Sequence, residues 1–369
     1  GSGIKHLLFC TSVPPWFIFR FEMKAYYKRH VLKFKRPSGT SRGILKEKET
    51  WFIVLEKEAK QGIGECGLLR GLSIDDRPDY EEKLAWVCDN IHLGKETLYD
   101  ALTNFPSIQM GVEMAFLSLE QSDPFSLYPS AFSRGEDHIP INGLIWMGDQ
   151  QFMLDQVEEK LAQGFTCIKM KVGAIAFSKE VEILRAIRER YNADQMVLRV
   201  DANGAFGQDA LEKLHVLADL ELHSIEQPIP QGNWEEMKAL CQASHLPIAL
   251  DEELIGVLTT ADKVALLDTI QPQYIILKPS FIGGFKGAEE WTSLAAERGI
   301  DSWVTSALES NIGLNAIAQW AYQQGYKGHQ GLGTGSLYTN NIAAPLEIIN
   351  GYIHIDKTQP WQAISQLLL

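Results

Sequence analysis

Short apolar runs alternate with amphipathic stretches along the middle of this chain. Runs such as 165–172 and 196–200 are each followed by a stretch with helical spacing, such as 178–191, and eight such runs fall between residues 139 and 332. Strands that alternate with helices in this way predict a parallel sheet with crossover helices. Eight strands within roughly 200 residues fit a closed α/β barrel better than an open sheet.

The front of the chain has a different pattern. Residues 17–34 and 51–55 are rich in aromatic and β-branched side chains, and the polar stretch 35–43 predicts a loop between strands of an antiparallel meander. Residues 62–67, which contain three glycines, predict a second flexible loop. Two segments with helical spacing follow, at 80–90 and 108–120.

These patterns predict the domain organisation. We expect an α+β domain at 23–130, completed by about 338–369, and a barrel domain at 131–337. Residues 1–22 are interpreted as a tag or upstream extension, because Gly1-Ser-Gly3 resembles a cloning remnant and Met23 offers a native start.

Ionisable residues end five of the apolar runs in the barrel region. They are Lys171, Asp201, Glu226, Asp251 and Lys278, at intervals of 30, 25, 25 and 27 residues. Functional groups of α/β barrels lie at the carboxyl ends of the strands. The regular intervals therefore predict that these side chains meet at one barrel mouth.

Asp201, Glu226 and Asp251 come from three adjacent predicted strands. Converging carboxylates repel one another, and a bound divalent cation removes that cost. Ligands that are all oxygen favour Mg²⁺, with Mn²⁺ as a substitute. The alternative is three unrelated helix caps or surface acids.

Lys169 and Lys171 share one face of the second barrel strand, because successive strand side chains alternate. Their mutual repulsion is expected to lower the pKa of both from the ordinary value of ~10.4. Lys278 should face them across the opening. This arrangement suits removal of a proton from carbon next to a carboxylate. A K-x-K pair alone would also fit a solvated edge strand.

These residues resemble the enolase superfamily over nearly the whole chain. The matching motifs are Lys169-Met-Lys171, Arg199-Val-Asp-Ala-Asn203, Ile225-Glu-Gln-Pro228, Leu250-Asp-Glu-Glu253, Leu277-Lys-Pro-Ser280 with Gly283-Gly284, and Ser306-Ala-Leu-Glu-Ser310. The resemblance implies an α/β fold, a (β/α)7β-type TIM barrel whose mouth is covered by an α+β capping domain. It also implies two mobile cap loops, near 38–43 and 62–67, that help to select substrate.

Within the superfamily, the K-x-K pair with a lysine on strand six is similar to the muconate lactonizing enzyme-like subgroup, and in particular to its o-succinylbenzoate synthases. That resemblance implies a Mg²⁺-dependent hydro-lyase of menaquinone biosynthesis. It would dehydrate 2-succinyl-6-hydroxy-2,4-cyclohexadiene-1-carboxylate to 2-succinylbenzoate through an enediolate, by syn elimination. Lys171 would be the base and Lys278 a cation against the ring, with Lys169 completing the catalytic set.

Other residues of these motifs are expected to bind substrate or to support the site. They are Arg199, Asn203, Glu252, Gly283, Gly284, Ser306 and Glu309. An internal ion pair is an equal explanation for Arg199, and helix capping is one for Ser306.

Composition narrows the choice of partners. The 369 residues are 45% hydrophobic with a net charge of -13, which argues against nucleic acid because phosphate binding needs a concentrated basic surface. Five scattered cysteines without a C-x-x-C pair fit a reduced, cytoplasmic setting. No stretch approaches the roughly 18 apolar residues of a membrane span. The expected partner is a small-molecule carboxylate, and a homo-oligomer is compatible with the sequence.

Three other reactions use the same catalytic set in this superfamily. They are racemisation of N-succinyl amino acids, epimerisation of dipeptides, and muconate-type cycloisomerisation. Dipeptide epimerases of this kind have an acidic D-x-D on the last strand, whereas residues 330–335 contain no acid. A barrel that binds a ligand without turnover would lack one of the catalytic groups. Lys171, Asp201, Glu226, Asp251 and Lys278 are all present in this sequence.

Overall fold

The computed structural model describes residues 22–40, 43–146 and 148–368. The stretch interpreted as a tag or extension lies outside this range except for Glu22, and so do two residues of the predicted loop at 38–43. The described chain opens with a three-stranded antiparallel sheet, paired in the order β1 (Lys24–Thr40), β2 (Gly43–Lys57), β3 (Lys60–Cys66). Three helices follow: α1 (Tyr80–Asp89), α2 (Lys95–Asp100) and α3 (Pro106–Glu120).

Strand β2 connects the cap to the barrel because its side chains alternate between two apolar cores. Trp51 and Ile53 are buried with the cap helices, whereas Phe52 and Val54 belong to the large core that continues into the barrel. Cap and barrel therefore share one continuous apolar core.

The loop predicted at 62–67 is wrong, and most of the stretch predicted as a loop at 35–43 lies in strands. Residues 62–66 lie in β3. The glycines of this strand are explained by the close packing of α3, because a Cβ on Gly64 would lie 1.9 Å from the carbonyl oxygen of Gly111. Residues 35–40 lie in β1 and Gly43 begins β2. Ser38 to Thr40 pair with β2, and a register irregularity separates them from Lys33.

The predicted (β/α)7β barrel is confirmed. Its seven parallel strands pair in chain order: β5 (Gly143–Ile145), β6 (Cys167–Lys171), β7 (Val197–Asp201), β8 (Ser224–Glu226), β9 (Ile248–Leu250), β10 (Tyr274–Leu277) and β11 (Asp301–Val304). The helices around them are α4 (Gln150–Ala162), α5 (Phe177–Arg190), α6 (Ala210–Ala218), α7 (Trp234–Ala243), α8 (Thr260–Ile270), α9 (Gly284–Ala296) and α10 (Asn311–Gln323).

The eighth barrel position is weaker than predicted. Two isolated bridges occupy it, Ile141 to Gln330 and Thr305 to Gly331. The Gln330 side chain takes over part of the pairing, because its carbonyl oxygen accepts the Val304 N–H at 2.8 Å. The barrel is therefore closed at this seam by a side chain as well as by backbone.

The carboxyl-terminal part contacts both cap and barrel. Strands β12 (Leu346–Ile349) and β13 (Tyr352–Ile355) form an antiparallel sheet with β4 (Ile139–Pro140), and a short helix α11 (Ile364–Leu367) follows. Residues 338–339 contact β1 through the bridge from Tyr338 to Phe34 and the bond from the Thr339 N–H to the Lys33 carbonyl. The domain boundaries near 130 and 337 stay a prediction.

No helix among the described residues is both long enough and apolar enough to cross a lipid bilayer.

The close approach of β3 to α3 can be tested by adding one methyl group. Gly64→Ala is expected to lower the free energy of unfolding by about 3 kcal/mol or more, since the new Cβ would collide with backbone. Gly207→Ala is the control, because a Cβ there meets nothing within 4 Å. Urea denaturation of both variants measures the difference, and equal midpoints would contradict this account of β3.

Candidate active site

Parallel pairing brings three acidic side chains to one edge of the barrel. Asp201 lies opposite Glu226, and Glu226 lies opposite Ala249, two residues before Asp251. One carboxylate oxygen from each of Asp201, Glu226 and Asp251 lies within 4.8 Å of the others. The three residues are at most 3% exposed. No other group of three potential metal ligands with this spacing occurs in the part of the chain that the structure describes.

The chemistry of this cluster fits a divalent cation. Burial, together with the charges of Asp201 and Asp251, raises the pKa of Glu226 to about 7, although Lys169 opposes the shift. Burial and the same two aspartates also raise the pKa of Glu252 to about 7. Negative charge is thus in excess, and a cation would relieve it. Oxygen donors of this kind suit hard cations such as Mg²⁺ and Mn²⁺.

The three lysines differ in their partners. The Lys169 ammonium lies 2.9 Å from Asp201 Oδ2 and 2.5 Å from Glu226 Oε2, and the Lys278 ammonium lies 2.6 Å from Asp251 Oδ2. Lys171 instead donates to Asn203 Oδ1 at 3.1 Å and forms no ion pair with a described residue. The acids lie between Lys169 and Lys278, and Lys171 is the lysine left without a carboxylate partner.

These partners decide the pKa of each lysine. Burial lowers the pKa of Lys171, and the charges of Lys169 and Lys278 lower it further, against the attraction of Asp201. For Lys169 the predicted lowering is wrong, because its carboxylate neighbours outweigh burial and raise its pKa. Burial acts to lower the pKa of Lys278 as well, but the charge of Asp251 outweighs burial, so the pKa of Lys278 is raised.

Asn203 connects the free lysine to the acidic loop after β9. Its side-chain oxygen accepts from Lys171, and its Nδ2 donates to Glu252 Oε1 at 3.0 Å. Its backbone is left-handed, with φ 44°, and its N–H donates to Asp201 Oδ1. Asn203 and Glu252 therefore lie within the site, as neighbours of Lys171 and of the acidic cluster.

A cavity of about 630 Å³ opens above these side chains. All three lysines line it, and the cap contributes Leu69 and Leu72 to its wall. Further apolar surface comes from Trp146, Phe281 and Leu308. Lysine ammonium groups together with this apolar surface suit a small organic anion with a hydrophobic body.

Arg199 was predicted to bind substrate or to support the site, and the structure places it elsewhere. Arg199 lies two residues before Asp201 on β7. It therefore faces the barrel interior as Asp201 does, but further from the carboxyl end of the strand. One guanidinium nitrogen donates to the His329 carbonyl at 2.9 Å, and the group lies 4.1 Å from the centre of the Trp303 ring. Because these protein groups surround it, Arg199 does not reach the cavity.

Gly283 and Gly284 are also separate from the cavity. The Gly283 carbonyl accepts from Tyr99 of the cap at 2.6 Å. A Cβ on Gly284 would lie 2.1 Å from Glu113 Oε2, and this carboxylate accepts two N–H groups at the start of α9. The two glycines therefore allow the cap to approach α9, which explains them without a contact to substrate.

Ser306 and Glu309 lie on opposite sides of the same cavity wall. Ser306 lines the cavity, and its hydroxyl lies 2.5 Å from that of Thr334. Glu309 is fully buried behind the wall, where it accepts from the Ser280 hydroxyl at 2.6 Å and from the Ala307 N–H at 2.7 Å. Glu309 thus supports the wall and does not contact its open face.

Comparison with known proteins agrees with this geometry. A family model described as "Enolase C-terminal domain-like" matches residues 153–360. The chain belongs to this enolase family. Enolase-family relatives include the o-succinylbenzoate synthase of Desulfotalea psychrophila, which is 45% identical over 371 residues, covering 90% of this chain and 99% of that protein.

A solved structure and a second curated relative extend the comparison. The crystal structure of MenC from Desulfotalea psychrophila LSv54 matches with a TM-score of 0.81 and 41% identity, covering 90% of this chain and 99% of that one. The N-succinylamino acid racemase of Amycolatopsis sp is 27% identical, covering 75% of this chain and 76% of that protein.

Gln227 is a buried residue beside the acidic cluster, and the sequence analysis gave it no role. Its amide oxygen accepts the N–H groups of Asp251 and Glu253 at 3.2 Å each, and its Nε2 donates to Glu253 Oε2 at 2.8 Å. It therefore ties the ligand strand β8 to the loop that bears Asp251. The available signal was a buried amide directly after Glu226 in an otherwise apolar run.

The acidic cluster can be tested by measuring cation binding directly. Glu226→Gln is expected to weaken Mg²⁺ binding by more than the roughly 100-fold that loss of a supporting residue costs, because a charged ligand is removed. Glu235→Gln is the control, since that side chain is 83% exposed. Titration calorimetry gives both affinities. Equal affinity in the two variants would show that the cation binds elsewhere.

Proposed function

We propose that this protein is a Mg²⁺-dependent o-succinylbenzoate synthase. It removes water from 2-succinyl-6-hydroxy-2,4-cyclohexadiene-1-carboxylate to form 2-succinylbenzoate, a step toward menaquinone. A cytoplasmic location and Mn²⁺ as a substitute metal belong to the same proposal, and formation of a homo-oligomer stays a prediction.

The observation that carries the proposal is the unequal pairing of Lys171 and Lys278. Both line the cavity, but only Lys278 forms an ion pair with an acid of the cluster. One lysine suited to accept a proton and one held as a cation fit a reaction that needs a single base. Similarity to the Desulfotalea synthase over most of both chains supports the same choice of reaction.

The reaction begins with the substrate carboxylate near the acidic cluster. Bound Mg²⁺ would be held by Asp201, Glu226 and Asp251, and it supplies positive charge for the negative charge that grows on that carboxylate. Neutral Lys171, oriented by Asn203, takes the proton from the ring carbon that bears the carboxylate. The electron pair of the broken C–H bond moves into the ring and its carboxylate.

Loss of hydroxide completes the reaction. The carbon–oxygen bond at the neighbouring ring carbon breaks, and Lys171 returns its proton to the departing hydroxide, so that water leaves and the ring becomes aromatic. Because one group on one face both takes and returns the proton, the elimination is syn. Lys278 remains protonated beside Asp251 and presents a cation to the ring.

Racemisation of N-succinyl amino acids is the second candidate. Lysines on two sides of the acidic cluster and the similarity to the Amycolatopsis racemase favour it. It would require Lys278 to act as a base in one direction, against the effect of Asp251. Dipeptide epimerisation fits less well, because Gly331 and Gly333 line the wall where those enzymes have acids.

Replacing the base tests the proposed reaction. Lys171→Ala is expected to reduce dehydration by roughly 10²- to 10⁴-fold, since general base catalysis is lost. Lys179→Ala is the control, because that side chain on the next helix is 58% exposed. Ultraviolet detection of product measures the rate, beside deuterium exchange into N-succinyl amino acids. If the parent enzyme exchanges deuterium into N-succinyl amino acids but does not dehydrate the cyclohexadiene substrate, the racemase is the better assignment.

The pH dependence should report the protonation of Lys171. Its pKa is below the ordinary lysine value of ~10.4, and only the neutral amine accepts a proton. The value of kcat/KM is therefore expected to rise with pH and to level off above the lowered pKa. A profile measured with saturating Mg²⁺ gives the inflection. An inflection at or above the ordinary lysine value would contradict the role of Lys171 as base.

A further inference from the structure

Lys48 on β2 is a buried cation with no role in the reaction described above. The residue is 3% exposed, and its ammonium has no hydrogen-bond partner among the described groups. Burial lowers the pKa of Lys48, and the carboxylates of Glu309 and Glu65 oppose this. A buried charge of this kind is costly unless neighbouring charges compensate it.

Glu65 connects the cap to the start of a barrel helix. This fully buried residue of β3 accepts from the Thr50 hydroxyl at 2.7 Å, from the Ser310 N–H at 2.9 Å and from the Gly313 N–H at 2.7 Å. The last two N–H groups belong to the amino-terminal end of α10, where a carboxylate is favourable. A cap residue therefore fixes the chain directly after Glu309.

Glu309 holds the cavity wall formed by residues 306–308, hereafter the 306–308 wall. It accepts from the Ala307 N–H inside the wall and from Ser280, two residues after Lys278. Leu308 in this wall has φ 64°, a conformation that a leucine keeps only when its surroundings enforce it. The Tyr338 hydroxyl supplies part of that restraint through the Leu308 carbonyl, at 2.7 Å.

We propose that Lys48, Glu65 and Glu309 form a positioning cluster through which the cap strands fix the 306–308 wall, and so set the fit of the cavity to its substrate. Lys48 compensates two buried carboxylates that would otherwise repel each other. None of the three residues lines the cavity, so they act through the wall and not by touching substrate. The part of this inference that concerns substrate fit rests on the proposed function.

A charge-removal series tests the cluster in the full-length, Mg²⁺-loaded enzyme. Lys48→Met should speed amide hydrogen exchange in the 306–308 wall and raise KM for the cyclohexadiene substrate, each by roughly tenfold, because misplacement of a binding wall weakens orientation. Mg²⁺ affinity should not change. The double variant Lys48→Met with Glu309→Gln should recover much of both losses, since removing both charges restores the balance. Lys46→Met, at an exposed lysine on the same strand, should match the parent.

The outcomes separate positioning from simple stabilisation. If Lys48→Met lowers only the melting temperature, with parental wall exchange and KM, the cluster has no positioning role. A double variant no better than the single one also overturns the proposal. Should Lys48→Met not fold, Glu65→Gln is measured in its place. If amide hydrogen exchange in the 306–308 wall of that variant equals that of the parent, the cluster has no positioning role. If the parent does not dehydrate the substrate, the proposed function fails, while the exchange measurement still decides whether the cluster positions the wall.

Discussion

The repulsion among three buried carboxylates is the constraint on which this site depends. Parallel pairing of β7, β8 and β9 forces Asp201, Glu226 and Asp251 to the same edge, and burial removes the water that would screen them. Lys169 and Lys278 offset part of the charge by direct contact. The carboxylate charge that remains in excess at this edge would favour a bound divalent cation.

The same cluster separates the functions of lysines that are chemically identical. Lys169 and Lys278 contact acids, which keep them charged, whereas Lys171 contacts the neutral Asn203 amide. One lysine with a lowered pKa and two with raised pKa values thus arise from one residue type through environment alone. In the proposed syn elimination one base would be sufficient, because it would both accept and return the proton.

The cap contributes more than a cover. Its strand β2 shares the barrel core through Phe52, and its glycines allow backbone to approach backbone closely. Glu65 and Glu113 both accept N–H groups at the amino-terminal ends of barrel helices. These contacts join the cap to the amino-terminal ends of α9 and α10, the helices that follow β10 and β11.

The sequence by itself determined the order of strands and helices in the barrel and the five ionisable residues at the strand ends. Both follow from local properties: side-chain periodicity along the chain, and the rule that barrel strands present their carboxyl ends at one mouth. The sequence also showed that Lys169 and Lys171 share one face of β6, because the alternation of side chains along a strand is a local property.

Only the tertiary structure decided which partner each charged group meets. The pKa of Lys169 is raised because β7 and β8 place Asp201 and Glu226 against it, and no spacing within β6 contains that information. Gly64 lies in a strand, and Gly284 packs against the cap, because α3 approaches both from a distant part of the sequence. Arg199 shares a face with Asp201 yet does not line the cavity, because it lies lower in the closed ring of strands and contacts His329 and Trp303 there. Contacts between segments far apart in sequence depend on how the whole chain packs, and local pattern cannot specify them.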